Sequence, residues 1–242
     1  MKETKSIFDD FNLHARIIPA LITVLPIYVY LILKNLINNS FIKWFLPSSI
    51  AYVLLVALFY RVVRNLGKNH EEEMYEKLGA KPTTIVLRYT NELIDEQTKT
   101  RYHIKINEKV QGIELPTCKE DENENSDIQY ESAINWLRKY ANSNREKEAR
   151  VYQELKDYNF WRNLYGGKWI AIISCIIAIF IEVIQLENCK MINLIKSPFP
   201  QVTALLTMIV ILIVCCIVIN KKTVENKAFD YAKTLLEVCD SL

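Results

Sequence analysis

Apolar and polar positions divide this chain into four hydrophobic blocks, with one long polar stretch between the second and the third. Ile17 to Leu33 is uncharged between Arg16 and Lys34, and with Asn35 to Ile37 as an interfacial extension it reaches the length of a bilayer crossing. Pro19 and Pro26 predict a kink in it. A polar link, Asn38 to Lys43, leads to the second block, Trp44 to Tyr60, whose opening tryptophan suits the aromatic belt of a membrane boundary. The third block, Trp169 to Leu186, holds one acid, Glu182. The fourth, Ser197 to Asn220, runs 24 residues without a charge, and Glu187 to Lys196 joins it to the third. The pattern predicts an all-α membrane protein, with four transmembrane helices in two hairpins bracketing a mainly helical cytosolic domain. The segments are 1–62 (N-terminal cytosolic segment and first hairpin), 63–167 (cytosolic domain), 168–220 (second hairpin) and 221–242 (amphipathic C-terminal helix). For the first and second blocks, a buried helix of a soluble core is the rival reading.

The polar stretch is charged enough to be soluble and carries Trp136, Trp161 and several tyrosines for a core. The second span is expected to continue as a helix through Glu71 to Leu78 and to end at Gly79 as its C-cap. Thr83 and Thr84 are placed to cap a helix from Ile85. Thr98, Tyr102, Ile106 and Val110 repeat every four residues, which favours a helix, although Ile104 and Ile106 alternate as a strand would. Pro116 to Asp127 reads as an acidic loop, without the glycine and ligand spacing of a calcium-binding EF-hand. Ser126 with Gln129 has the form of a capping box opening a helix through Leu137. A further helix from about Asn144 is expected to end at Leu164, with Gly166 and Gly167 as a hinge before the third span. Thr223 to Val238 places Phe229, Ala232, Leu235 and Leu236 at helical spacing, an apolar face for the domain, a neighbour or the membrane.

Charge changes the picture only locally. Thirty Lys and Arg against 28 Asp and Glu leave a formal +2, so bulk charge points to no direct nucleic-acid partner. Eleven basic residues flank the spans on the side shared by both termini and the middle domain, Arg16, Arg64, Arg162 and Lys168 among them. Four, Lys34, Lys43, Lys190 and Lys196, lie on the other. That asymmetry predicts cytoplasmic termini and a multi-pass protein of a bacterial inner membrane. No signal-peptide pattern precedes the first block, which is therefore expected to drive insertion itself. The six cysteines form no CxxC pair and have no nearby histidine, so neither a disulfide nor a zinc site is expected.

Candidate chemistry is sparse. His70 precedes Glu71, but Met74 stands where a zinc-protease helix needs its second histidine. The sequence has no nucleophile elbow, P-loop, dinucleotide fingerprint or kinase signature, and neither an enzyme nor a cofactor or metal protein is expected. Lys81, Thr83, Arg88, Arg101 and His103 are the candidate ligand-binding residues, since guanidinium forks and hydroxyls recognise phosphate or carboxylate. An internal salt-bridge network with Glu92, Asp95 and Glu96 is the plainer reading of the same residues. Glu182 either extends toward the interface or faces the bundle as a pore residue.

Tyr75 to His103, with Gly79, Lys81-Pro82-Thr83-Thr84, Leu87-Arg88, Asp95, Thr98-Lys99 and Arg101-Tyr102-His103, resembles a recurrent pattern of uncharacterised bacterial multi-pass membrane proteins. Tyr130 to Ala133, Trp136 to Arg138 and Trp161 to Gly166 continue it, with departures at Ala80 and Trp161. In size and layout such proteins are similar to the membrane effectors of phage-defence loci. The resemblance implies an antiviral abortive-infection effector in the inner membrane. It would form a homo-oligomer, sense a cytosolic protein or nucleotide-like trigger, and form a pore or ion channel through the lipid bilayer. The alternatives are a non-conducting anchor or adaptor for a cytosolic partner, and a small housekeeping channel or transporter in which Glu182 lines the path.

Overall fold

The structure, a computed structural model, describes residues 9–37, 41–123, 125–192 and 199–242. Outside them lie residues 1–8 with Lys2 and Lys5, the link residues Asn38 to Ser40 and Asn193 to Lys196, Glu124 of the acidic loop, and Ser197 and Pro198 of the fourth block. The belt role expected of Trp44 also falls on a side chain that is not described.

The described chain is all-helical. Asp9 accepts hydrogen bonds from the backbone N–H groups of Phe11 (2.7 Å) and Asn12 (3.2 Å) and so caps the turn Asp10–Asn12. A π-helical turn, Leu13–Ile17, leads into α1, Ile18–Ile37. There follow α2 (Phe41–Leu78), α3 (Pro82–Leu87), α4 (Glu96–Lys109), α5 (Ser126–Ser143), α6 (Ala149–Ile192), α7 (Phe199–Val218) and α8 (Lys221–Glu237). A 3-10 turn, Val238–Ser241, closes the chain. Four helices, within Asp10–Lys34, Phe45–Leu87, Ala149–Leu186 and Gln201–Val218, are long and apolar enough to cross a membrane.

The chain divides into two compact units. The first comprises the chain through His70 together with Asn159–Lys221, and the second Glu71–Tyr158 together with Lys222–Leu242. These boundaries lie one to three helical turns away from the expected 62/63 and 167/168, because α2 and α6 each pass from one unit into the other without a break. The C-terminal helix is no separate segment, since it belongs to the second unit.

In the first unit α1 packs on α7, and Ala20, Val24 and Val56 form one buried cluster with Tyr52 and Phe59 against it. Leu164, Ala171, Ile172, Cys215 and Ile219 form another. Large apolar side chains such as Leu58, Phe180 and Ile217 stay about two-thirds exposed, which a lipid-facing surface tolerates and a water-facing one does not. Gly166 is no hinge. It lies inside the unbroken α6, and a Cβ there would stand 2.4 Å from the Gly67 amide nitrogen and 2.7 Å from the Val63 carbonyl oxygen. A Cβ at Gly167 would instead meet the side chain of Thr23, 2.0 Å from its hydroxyl oxygen. Gly166 lets α6 touch α2 backbone to backbone and Gly167 makes room for the Thr23 side chain, which outweighs glycine's poor helix propensity.

In the second unit Met74, Leu87, Ile106, Tyr130, Leu137, Leu235 and Leu236 are buried. Of the apolar face that the sequence displays on α8, Ala232, Leu235 and Leu236 are buried and Phe229 is half-buried, Val224 and Ala228 are buried with them, and Tyr231 stacks on Tyr158 with ring centres 6.4 Å apart. Gly79 ends α2 at φ +81°, as a glycine C-cap does. Residues 96–109 are a helix and not a strand, because Asp95 accepts from the Thr98 amide and fixes its start. Two expected caps differ. Pro82 opens α3 at its first turn, so Thr83 and Thr84 lie inside the helix. The Ser126 hydroxyl accepts from the Asn123 amide instead of forming a capping box with Gln129.

Candidate functional site

The residues expected to gather around an anionic ligand are placed by two helices of the second unit, α3 with its caps and α4, and each cation among them is held by a different acid. Lys81 pairs with Glu131 of α5 at 3.0 Å. Arg88 grips Asp127 with both arms of its fork, Nε donating to Oδ1 at 2.9 Å and Nη2 to Oδ2 at 2.5 Å. This hydrogen bonding holds the guanidinium above its ordinary pKa, with burial opposing. Arg101 reaches Asp240 at 3.2 Å, and the hydroxyl of Tyr102 donates to the same carboxylate at 2.8 Å. Each cation therefore has its own acid. The partners are Glu131, Asp127 and Asp240, not the Glu92, Asp95 and Glu96 of the salt-bridge expectation. Thr83 is buried on α3, its hydroxyl without a hydrogen-bond partner among the described residues.

His103 is fully buried. Its Nδ1 lies 2.6 Å from the Pro116 carbonyl oxygen, an atom that only accepts, so Nδ1 carries the proton. Tyr89 meets the ring edge-on at 5.3 Å, and Tyr130 tilts against it at 5.4 Å. Burial lowers its pKa from the ordinary histidine value, helped by the nearby Lys99 and opposed by the Pro116 carbonyl and Glu122. The imidazole is a neutral core group.

Lys99, which the sequence offered only as one of the polar residues between Lys81 and His103, is a buried polar anchor. It is 1% exposed, and its ammonium donates to the carbonyl oxygens of Arg88 (2.7 Å) and Asn91, closing the loop after α3. Burial lowers its pKa, against the fields of Glu122, Glu96 and Asp95. Glu122 in turn accepts from the Tyr130 hydroxyl at 2.8 Å and the Tyr89 amide at 3.2 Å. One signal was available: Lys99, His103 and Ile106 share one face of α4, so a lysine occupies a position of the buried stripe. Beside this network an open polar cavity of about 380 Å³ is lined by Glu114, Pro116, Asp121, Asn123, Ser126 and Gln129, among others. Its acidic lining does not suit the anion expected from the sequence.

In the first unit Glu182 of α6 is fully buried and pairs with Lys34 of α1 at 2.6 Å. Lys34 also donates to Gln185 and lies 5.7 Å from the centre of the Tyr30 ring. The acid thus faces the neighbouring α1. Four hydroxyls of the apolar helices donate to carbonyls one turn back on their own helices, while Tyr52 donates across to the Leu21 carbonyl oxygen at 2.9 Å and Tyr28 lies 3.1 Å from the Ser49 hydroxyl. Thr23 reaches Pro19 (2.8 Å), Ser49 reaches Phe45 (2.8 Å), Ser174 reaches Ile170 (2.7 Å) and Thr207 reaches Thr203 (2.8 Å).

No protein-family model, curated protein or solved structure matches this chain. The class it defines is an all-helical protein with four membrane-length helices and a polar helical unit.

Proposed function

We propose that this chain is a multi-pass effector of anti-phage defence in a bacterial inner membrane, which oligomerises and breaches the bilayer or conducts ions when its cytosolic unit senses a cue. The observation that carries the gating part is the continuity of α2 and α6, each one helix from apolar span to polar unit. A cue that rotates or shifts either helix reaches the spans without a loop to absorb it. The Lys34–Glu182 pair is the latch on that movement, because parting the two charges inside a bilayer requires water to enter and solvate them. Opening and wetting are then one event. The defence setting follows the resemblance of the middle domain, and the cue is a cytosolic protein or a nucleotide-like molecule.

The test is membrane potential, read with a voltage-sensitive dye in cells expressing the protein, with and without phage infection, beside Lys34→Met. Depolarisation on infection, and without infection in the variant, is the expected result. Unchanged potential and growth in every condition, with the protein present in the membrane, sinks the reading.

One observation favours a second reading, a non-conducting anchor that docks a cytosolic partner. The hydroxyls of Thr23, Ser174 and Thr207 are bonded within their own helices, so they offer an ion little polar lining. Purified full-length protein in liposomes separates the two, since an anchor passes no current at any protein density.

A further inference from the structure

We propose that Glu182 and Gln185 of α6, with the ring of Tyr30 on α1, form a binding site for a potassium-sized monovalent cation, which Lys34 fills as a tethered ammonium. The site does not depend on conduction, and only its part in an open path rests on the reading above.

Two residues from each helix make the arrangement. On α6, Gln185 follows Glu182 by three positions, so carboxylate and carboxamide stand about one turn apart on one face. On α1, Lys34 follows Tyr30 by four, which brings the ammonium beside the aromatic ring. Lys34 Nζ lies 2.6 Å from Glu182 Oε1, donates to Gln185 Oε1, and stands 5.7 Å from the centre of the Tyr30 ring. An anionic oxygen, a neutral oxygen and a π face are the groups that replace water around a small cation.

Two features set the pair apart from a surface salt bridge. Glu182 is fully buried, and its Oε2 accepts no hydrogen bond of ordinary geometry among the described residues. A buried carboxylate oxygen without a donor is costly, and the stem of Lys34 brings its nitrogen to Oε1. A free cation has no stem to hold it to one oxygen and can sit against both. The Lys34 side chain is one-fifth exposed, so the site is open on the side from which the ammonium enters.

Charge and size set the class of ion. One carboxylate among neutral neighbours balances one positive charge, whereas a divalent ion would leave an excess charge buried. Among the described residues no three His, Cys, Asp or Glu side chains are grouped to hold a divalent metal. Potassium and ammonium are alike in size and charge, so the space that holds the Lys34 nitrogen suits potassium.

The tether is able to leave. Pro26, about two turns before Lys34, stands inside α1 and removes the backbone bond to the Ile22 carbonyl, which is where a helix bends. A bend there carries Lys34 away, while Glu182 and Gln185 stay together on α6. In the conducting reading a monovalent cation then takes the vacated place, and the opened path selects cations.

The test uses full-length Lys34→Met in detergent. Methionine keeps most of the lysine stem but lacks its nitrogen, which leaves the site open to an added ion. The thermal midpoint is read in potassium chloride, ammonium chloride and choline chloride at one ionic strength, for this variant, wild type, and Lys34→Met with Glu182→Leu. In Lys34→Met alone, potassium and ammonium are expected to raise the midpoint by about 2–4 °C over choline, which is too large to enter. Wild type, whose site is filled, and the double variant, which has no acid, are expected to show no difference among the salts. Adding Gln185→Leu to Lys34→Met is expected to weaken the apparent potassium affinity several-fold. Equal midpoints of Lys34→Met in the three salts overturn the site, and so does the same potassium effect in the double variant. Should Lys34→Met fail to fold, Lys34→Gln, whose amide still donates to the acid, carries the same comparison and the same overturning result. Currents of Lys34→Met in liposomes keep the two readings apart. Potassium stabilisation without current supports the site and sinks the conducting reading, while a current that prefers chloride to potassium overturns the part of the site in the path.

Discussion

Lys34 Nζ and Glu182 Oε1 stand 2.6 Å apart across α1 and α6, with the carboxylate fully shielded and the ammonium one-fifth exposed. Removing one partner leaves the other charge buried, which costs about 3–5 kcal/mol in a protein interior. Lys34→Met is therefore expected to lower the unfolding midpoint sharply in detergent, and Lys34→Met with Glu182→Leu to recover most of the loss. If the single and double variants unfold alike, the two residues are not energetically coupled.

The glycines of α6 give an opposite pair of expectations. Gly166→Ala puts a methyl group on the backbone of Gly67 and Val63, neither of which can rotate aside, so α2 and α6 must separate. The cost is about 1–3 kcal/mol or more by analogy with overpacked cores. Gly79→Ala meets no atom within 4 Å but must hold φ near +81°, a strain of about 1 kcal/mol. Thermal denaturation of both variants measures the difference. A silent Gly166→Ala would restore the hinge reading.

That pair also shows what the sequence could and could not reveal. The four apolar blocks were legible because a bilayer-length run needs no partner to be recognised, and Gly79 was legible because a cap is local. Gly166 read as a hinge because its reason for being there is Gly67, about a hundred positions earlier in the chain. The same blindness affects Arg88 and Arg101. Charge and spacing suggested convergence, while the acids that claim them, Asp127 and Asp240, come from a loop-proximal turn and from the C-terminal end. Glu182 was visible as an anomaly, yet Lys34, which resolves it, had been counted only as a flanking charge.

His103 sets a pH dependence whose sign follows from its burial. Its pKa in the folded chain lies below the ordinary value, so between the two values the unfolded chain binds the proton and the folded chain does not. The folded state is unaffected above about pH 6.5, the ordinary histidine pKa, and loses stability as pH falls below it. Denaturant midpoints at pH 7.5 and 5.5 are expected to drop for the wild type on acidification. His103→Phe, which cannot take up a proton, is expected to show a smaller drop from a lower starting stability. An unchanged difference between the two pH values would assign the effect to other groups.

Arg88 and Arg101 bond to different acids on different elements, which makes their independence measurable. Arg101 and Asp240 are each about half exposed, so Arg101→Ala is expected to cost at most about 1 kcal/mol. Arg88→Ala breaks a two-armed contact that is less exposed on its arginine side and is expected to cost somewhat more. Sites with no shared partner add to within about 0.3–0.5 kcal/mol, so the double variant is expected to lose the sum of the two. A double-mutant cycle by denaturant unfolding of the full chain tests this. Coupling well beyond that range would mean that the two guanidinium groups act on one another or on a common anion, and the convergent ligand site would have to be reconsidered.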